Sequence, residues 1–294
     1  MSQTVLLLNP ISAASLSQLR HSYSLLTLYD ADNPGGLIAK HKSDIRAVIA
    51  GEKSKLKAGF VETLENLELI CIPHRALDNI DADIKSRGSL KIVPIGSESV
   101  SDYSEQTIAL LLGLSRRLTE ISMMYRTHHW RASSRHPGHR IQGKTFAIFG
   151  DERMKQQVVS VLTALNANIL DATKYDDLKD ITYNTDHLIL LPGLNKDQFG
   201  FLGREALDNL DKTSMVIANH ADEVLNIQDI AIALHNRKLG GFAMDTHLGS
   251  EELPEQLLTM ENVLITPGIS ASTLEASEEF GQAIFKLMTD HFNQ

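Results

Sequence analysis

The apolar residues of this chain gather in short runs separated by stretches with helical spacing. Residues 5–8, 25–28, 45–50, 67–72 and 90–93 are the first set of runs, rich in Leu, Ile, Val and Ala. Between them, residues 16–23, 56–64 and 83–87 space their apolar side chains as helices do. A second set follows at 146–149, 169–171, 187–191, 214–218, 241–244 and 263–265, again with helical stretches between, the clearest at 227–235. Runs without strict alternation suit strands covered on both faces. Strands alternating with helices predict parallel α/β sheets with helices on both sides. Pro94 is expected to end the strand at 90–93. A break rich in small residues at 96–101 separates the sets, and one long helix is predicted from 102 to about 126. It is expected to connect two domains and to offer a subunit contact. A last helix at 274–292 is expected to pack back on the first domain.

Size and charge narrow the class. At 294 residues, two domains are expected. The net charge of -9 argues against a general nucleic-acid binder. The apolar run at 5–8 is too brief for a signal peptide, and the longest one, 108–114, is far short of a membrane span. The single cysteine, Cys71, lies among Leu67, Leu69, Ile70 and Ile72 and reads as a buried strand thiol. A cytoplasmic location is the expectation.

The chemistry centres on residues 143–171. Residues 144–149 read as a strand, Gly150 ends it, 153–165 read as a helix, and 168–171 as a second strand ending in Asp171. This is the order of a dinucleotide-binding unit, with an acid about twenty residues beyond the turn. The turn itself departs from that pattern. Where a G-x-G-x-x-G loop has three glycines, this chain has Gly150, Glu152 and Lys155.

Taken in order, further motifs resemble the D-isomer-specific 2-hydroxyacid dehydrogenase family over nearly the whole chain. The family's G-x-G-x-D-x-I-D region corresponds to His74-Arg75-Ala76-Leu77-Asp78-Asn79-Ile80-Asp81, with both glycines replaced. Its V-A-E helix opening corresponds to Tyr103-Ser104-Glu105, and its paired arginines to Arg116-Arg117, followed by Trp130. Gly143-Lys144-Thr145 precedes the cofactor strand, and Asp186-His187-Leu188-Ile189-Leu190-Leu191-Pro192 matches the next strand motif. Gly240-Gly241-Phe242-Ala243-Met244-Asp245 and Asn262-Val263-Leu264-Ile265-Thr266-Pro267 complete the series. The resemblance implies an α/β fold of two Rossmann-like lobes with doubly wound parallel sheets. A dinucleotide-binding domain, residues 98–267, would be inserted in a flavodoxin-like substrate lobe made of 1–97 and 268–294. It also implies NAD as cofactor, a homodimer through the second domain, and Gly150, Arg153, Met154, Asp171, Pro192 and Asp245 as cofactor-binding positions. Asp171, as the ribose-binding acid, favours NAD over NADP.

The same resemblance implies three catalytic groups: a His acid/base, a Glu paired with it, and an Arg for the substrate carboxylate. A 2-keto acid needs a proton donor at its carbonyl and a fixed cation for its carboxylate. In this chain those positions hold Gly268, Ser250 and Ala221, with Glu251 able to serve only if its loop shifts by one. No catalytic residue is therefore assigned. At the cofactor loop, Glu152 sets a negative charge where a pyrophosphate would approach. Two like charges ~5 Å apart cost on the order of 3 kcal/mol at an effective dielectric near 20. Lys155 stands three residues on and can neutralise it, and the helix N-terminus offers backbone N–H groups to an anion.

Several residues admit two readings. His74 and Arg75 form either a new anion site or a solvated loop pair, and His220 with Asp222 either a new acid/base or a capped turn. His247, at a loop entry, has the same two readings. His128, His129, His136 and His139 lack the carboxylate or cysteine partners of a metal motif and read as a solvated or interface loop. Trp130 reads as a packing anchor. The expectation is a dehydrogenase-like protein without hydride transfer and with weak or no NAD binding, taking a small anion in the inter-domain cleft. The alternative is an active NAD-dependent oxidoreductase on a small 2-keto acid, using groups drawn from His74, Arg75, His220, Asp222 and His247.

Overall fold

The computed structural model describes residues 3–51, 54–86, 88, 90–95, 99–129, 131, 137–175, 177–194 and 202–293. The side chains of His74, Arg75 and Asp78, and Trp130 and His136 altogether, lie outside the described residues. The chain divides into two compact units, residues 1–97 with 273–294, and residues 98–272. Residues 268–272 thus belong with the second unit.

In the first unit, β1 (Thr4–Leu7), β2 (Ser24–Thr27), β3 (Ile45–Ile49), β4 (Leu69–Pro73) and β5 (Lys91–Ile95) form a parallel sheet in the order β2-β1-β3-β4-β5. That is the flavodoxin-like order. β1, β3 and β4 run through the middle with nearly every side chain buried, which is why they read as unbroken apolar runs. Cys71 is fully buried there, and burial pushes its thiol up to about 12. β5 does not stop at Pro94. It continues to Ile95, with Pro94 opposite Ile72, because an edge strand has no outer neighbour to need the missing N–H. Helix α1 (Ala13–Ser22) is capped by Ser12, whose hydroxyl accepts from the Ser15 N–H. Helix α2 (Pro34–His41), unforeseen in the periodicity, starts at an Asn33 cap followed by Pro34. Two short helices, α3 (Ala58–Glu62) and α4 (Ala82–Lys85), precede β4 and β5.

The second unit opens with the predicted long helix, which is two helices. α5 (Val100–Ser115) ends where Arg117 turns left-handed at φ 53°, and α6 (Leu118–Arg126) starts anew. Arg117 is held in the break by Glu120 and by Glu261, 3.4 Å away. The sheet combines β6 (Thr145–Phe149), β7 (Asn168–Ile169), β8 (His187–Leu190), β9 (Met215–Asn219), β10 (Gly241–Asp245) and β11 (Val263–Thr266). Its order is β11-β10-β9-β8-β6-β7, with every pairing parallel. Helix α7 (Glu152–Ala164) packs against α5 through Met154, Val158 and Leu162, among the same core as Tyr103 and Leu111. Leu178–Tyr183, Arg204–Leu207, Ile227–His235 and Glu255–Leu258 supply helices α8 to α11. The last helix, α12 (Leu274–Phe292), packs on α1 of the first unit, with Gly281 against Ser15. No helix among the described residues is long and apolar enough to cross a membrane.

Candidate functional site

Because all strands of the second unit are parallel, the loops after β6, β8, β9, β10 and β11 emerge on one edge. Between β6 and β8 the chain changes its winding direction, and ligands of open α/β sheets bind in the crevice that this creates. Gly150 sits there at φ 125°, where a Cβ would come 2.6 Å from the Leu191 Cβ and 2.7 Å from the Leu191 carbonyl oxygen. Only glycine tolerates that close approach. The next residue, Asp151, ties the two strand ends by donating its N–H to the Pro192 carbonyl at 2.8 Å.

The Asp151 side chain then turns onto the N-terminus of α7. Its Oδ1 accepts from the Arg153 N–H at 2.9 Å and the Met154 N–H at 3.3 Å. The Arg153 guanidinium closes on the same carboxylate at 3.2 and 3.1 Å. Hydrogen bonding from that guanidinium, with the backbone N–H groups behind it, holds the Asp151 carboxyl below the usual carboxylate range. The backbone N–H groups expected to stay available for an anion are therefore already occupied, and the Arg153 cation is engaged with Asp151. Glu152 and Lys155 face each other at 3.4 Å, as their spacing suggests. The Met154 side chain is wholly buried, and its carbonyl accepts from the Ser104 hydroxyl at 3.3 Å. Asp171 caps the turn Ala172–Lys174, accepting from the Thr173 hydroxyl at 2.6 Å with Lys174 at 3.6 Å; the Thr173 hydroxyl leads the bonds that lower its carboxyl. Asp151 was not singled out by sequence. Its signal was there, since Asp immediately before a helix is an N-cap.

A second cluster occupies the ends of β9, β10 and β11. Asp245 is fully buried. Its Oδ1 accepts from the Thr266 hydroxyl at 2.6 Å and the Ile269 N–H at 2.9 Å. Its Oδ2 accepts from the Ser270 N–H at 2.8 Å and hydroxyl at 2.6 Å, and lies 3.3 Å from His220 Nε2. Burial opposes ionisation, but the bonds from His220, Ser270 and Thr266 outweigh it and hold this carboxyl far below its ordinary range. The carboxylate predicted to face a nucleotide is instead the post around which the 266–270 turn is built.

Asn219, also fully buried, locks the other side of that turn. Its Oδ1 lies 3.0 Å from the Ser270 hydroxyl oxygen, whose proton goes to Asp245, and its Nδ2 donates to the Tyr103 carbonyl and the Thr107 hydroxyl, each at 3.0 Å. His220 follows in a left-handed conformation, φ 47°, with its ring 5.5 Å from that of Tyr103 and 4.3 Å from that of His247. Asp222 stands beyond it. Burial pushes its carboxyl up, against a hydrogen bond from Thr246 and the nearby His220.

The three positions that the resemblance assigns to catalysis resolve differently. Ala221 is buried. Ser250 is exposed on the turn Ser250–Glu252, and the Glu251 carboxylate folds back over Gly249. Gly268 has φ 68°, and a Cβ there would meet the His247 ring, coming 2.6 Å from its Cε1. His220, Asp222, His247 and Gly268 are thus brought together. The His74 and Arg75 reading lies outside the described side chains. Among the described residues no group of three or more His, Cys, Asp or Glu is placed to hold a metal ion.

Comparison with known proteins follows the same lines. Over 98% of its length the chain is 24% identical to a glyoxylate/hydroxypyruvate reductase of Arabidopsis thaliana, covering 96% of that protein. It superposes on a 2-hydroxyacid dehydrogenase of Ketogulonicigenium vulgare with TM-score 0.82 at 21% identity, covering 100% of this chain and 96% of that one. An NADPH-dependent glyoxylate/hydroxypyruvate reductase of Sinorhizobium meliloti, solved with NADP and malonate, gives TM-score 0.73 at 18% identity, covering 96% and 91%. The model of the D-isomer specific 2-hydroxyacid dehydrogenase NAD-binding domain matches residues 108–270, so that this chain belongs to that family.

Proposed function

We propose that this protein is a 2-hydroxyacid dehydrogenase-like pseudoenzyme that binds a small anionic 2-keto or 2-hydroxy acid without transferring hydride. The Asp151 carboxylate carries this reading. It occupies the helix N-terminus at the winding switch, and its bonds to the Arg153 and Met154 N–H groups are those a nucleotide pyrophosphate would need. The residues present do not fit that group, because a bound pyrophosphate would meet Asp151 and Glu152 in place of open N–H groups and glycine. Ala221, Ser250 and Gly268 point the same way on the chemistry. The relatives' names supply the ligand class, small 2-keto acids such as glyoxylate and hydroxypyruvate.

The test is calorimetric titration with NADH and NADPH. The wild-type protein is expected to give no binding heat up to millimolar nucleotide. The variant carrying Asp151→Ala and Glu152→Gly is expected to bind at least tenfold more tightly, although loss of the cap costs about 1 kcal/mol of stability. Micromolar binding by the wild type would sink the reading.

The second reading, an active NAD-dependent oxidoreductase, is favoured by the His220–Asp245 pair. It requires NADH oxidation with a 2-keto acid and loss of that turnover in His220→Ala. A cytoplasmic homodimer belongs to either reading. Exposed Leu118, Met123 and Tyr125 on α6 support self-association through the second unit. Sedimentation is expected to give a dimer that Tyr125→Glu with Met123→Glu converts to monomer, and an unchanged dimer would refute this contact.

A further inference from the structure

We propose that a cavity at the edge of the second sheet where β6 begins binds an amphipathic carboxylate, a molecule with one carboxylate head and an apolar alkyl or aryl body. The cavity holds about 500 Å3, and Leu112, Arg116, Arg140, Ile141, Gln142 and Leu165 line it. That volume is typical of small-molecule sites. All six residues belong to the second unit. The inference stands apart from the preceding reading, whose crevice opens on the opposite edge. There the first turns of α5 meet Asn219, at the end of β9, through the Tyr103 carbonyl and the Thr107 hydroxyl. At a rise of about 1.5 Å per residue, Arg116 lies about 20 Å beyond Tyr103 along the helix.

A close crossing builds one wall. A Cβ on Gly138 would come 2.6 Å from the Ser115 carbonyl oxygen and 2.9 Å from the Arg116 Cα, so only glycine lets the chain pass there. The next residue, His139, donates its N–H to the same Ser115 carbonyl at 2.7 Å. This satisfies one of the acceptors left over at the end of α5. Pinned in this way, residues 138–140 cross the helix end and bring Arg140 to the cavity that Arg116 also lines. The chain then turns at once. The Lys144 N–H donates to the Ile141 carbonyl at 3.1 Å, and the N–H of Gly143, at φ 77°, donates to the Asn166 carbonyl at 2.8 Å. The second bond ties this turn to the residue after Leu165.

Apolar surface and charge define the guest. Ile141 is buried, Leu112 is half-buried, and Leu165, at the end of α7, is exposed. The two arginines carry a charge at every working pH. Among the described residues neither Arg116 nor Arg140 forms an ion pair, and none that line the cavity is Asp or Glu. Counterions are not scarce, with 37 acidic residues against 28 Lys and Arg in the chain. Arg117, the adjacent residue, takes both Glu120 and Glu261. Two cations sharing one cavity repel each other, and an anion between them relieves that repulsion. The planar guanidinium fork matches a carboxylate through two parallel bonds, and the Gln142 amide adds a neutral donor. The backbone N–H groups of His139, Gly143 and Lys144 are already used, so the cavity lacks the backbone nest that suits phosphate. An apolar body laid on Leu112, Ile141 and Leu165 removes their surface from water.

The experiment is saturation-transfer NMR, with calorimetry for affinity, on the full chain. The probes are octanoate and cinnamate, with octylammonium and cinnamylammonium as the same bodies carrying the opposite charge. At least one acid is expected to bind at submillimolar concentration, and at least about tenfold more tightly than its amine. Arg116→Gln and Arg140→Gln, at exposed positions where the fold is not at risk, are each expected to weaken that binding at least about tenfold. Leu165→Glu sets a carboxylate against the two arginines and is expected to abolish it. The variant carrying Asp151→Ala and Glu152→Gly is expected to bind the acids as the wild type does, which separates this cavity from the crevice. Four results each overturn the proposal: no binding of either acid, amines binding as tightly as the acids, affinity unchanged in both arginine variants, or affinity altered by the crevice variant. NADH binding by the wild type would instead sink the preceding reading and leave this one standing.

Discussion

Asp245→Ala is expected to destabilise the second unit by about 3–5 kcal/mol, the range for breaking a buried charged network by removing one partner. Five donors converge on this carboxylate: Thr266 Oγ1, Ile269 N, Ser270 N, Ser270 Oγ and His220 Nε2. The two hydroxyls can turn to other acceptors, but the two backbone N–H groups cannot. Each buried donor left without a partner costs about 1–3 kcal/mol. Asp245→Asn separates charge from shape. Its amide carries one oxygen and one NH2, so one of the N–H groups of Ile269 and Ser270 must face another donor. Asparagine is therefore expected to rescue little, and both variants to lose far more than Thr266→Ala. Urea unfolding followed by circular dichroism measures this, and a loss under about 1 kcal/mol for Asp245→Ala would show that the turn does not depend on the carboxylate.

This carboxylate also marks where sequence reasoning stops. Apolar runs and helical spacing located the strands because burial on both faces is written locally, residue by residue. The flavodoxin-like order of the first unit followed from the family resemblance and is what the sheet adopts. Single-residue events escaped. Arg117 turns left-handed inside an otherwise continuous helical pattern, and Pro94 stays in its strand only because β5 is an edge. The dinucleotide pattern points to glycine positions and not to Asp151, although an aspartate immediately before a helix is an N-cap signal. The partnership of Asp245 with Ser270 spans 25 residues, and that of His220 with His247 depends on Gly268. No local pattern encodes either. Gly268 illustrates the difference best: in sequence it reads as a missing histidine, and in the fold it is the space that another histidine fills.

Between pH 7 and pH 4 the second unit is expected to lose about 3 kcal/mol through His187 alone. This histidine lies on β8 with 1% of its surface exposed, its ring centroid 4.9 Å from that of Phe146. Its Nδ1 accepts from the Met215 N–H at 3.1 Å, which requires a lone pair, and its Nε2 has no hydrogen-bond partner among the described residues. Burial lowers its pKa from 6.5 to about 4, with Asp186 opposing and Lys144 and His139 assisting. The sign follows from proton binding. Below 6.5 the unfolded chain binds a proton that the folded chain refuses, so this stability is complete above that value and drains as pH falls toward 4. At about 1.4 kcal/mol per pH unit the whole span amounts to about 3 kcal/mol, with about 2 kcal/mol gone by pH 5. His187→Gln keeps an acceptor for Met215 and cannot titrate. It is expected to be less stable than wild type at pH 7 and to close about 2 kcal/mol of that gap by pH 5. A gap that stays constant from pH 7 to pH 5 in urea unfolding would mean that His187 is not the group whose protonation opens this sheet.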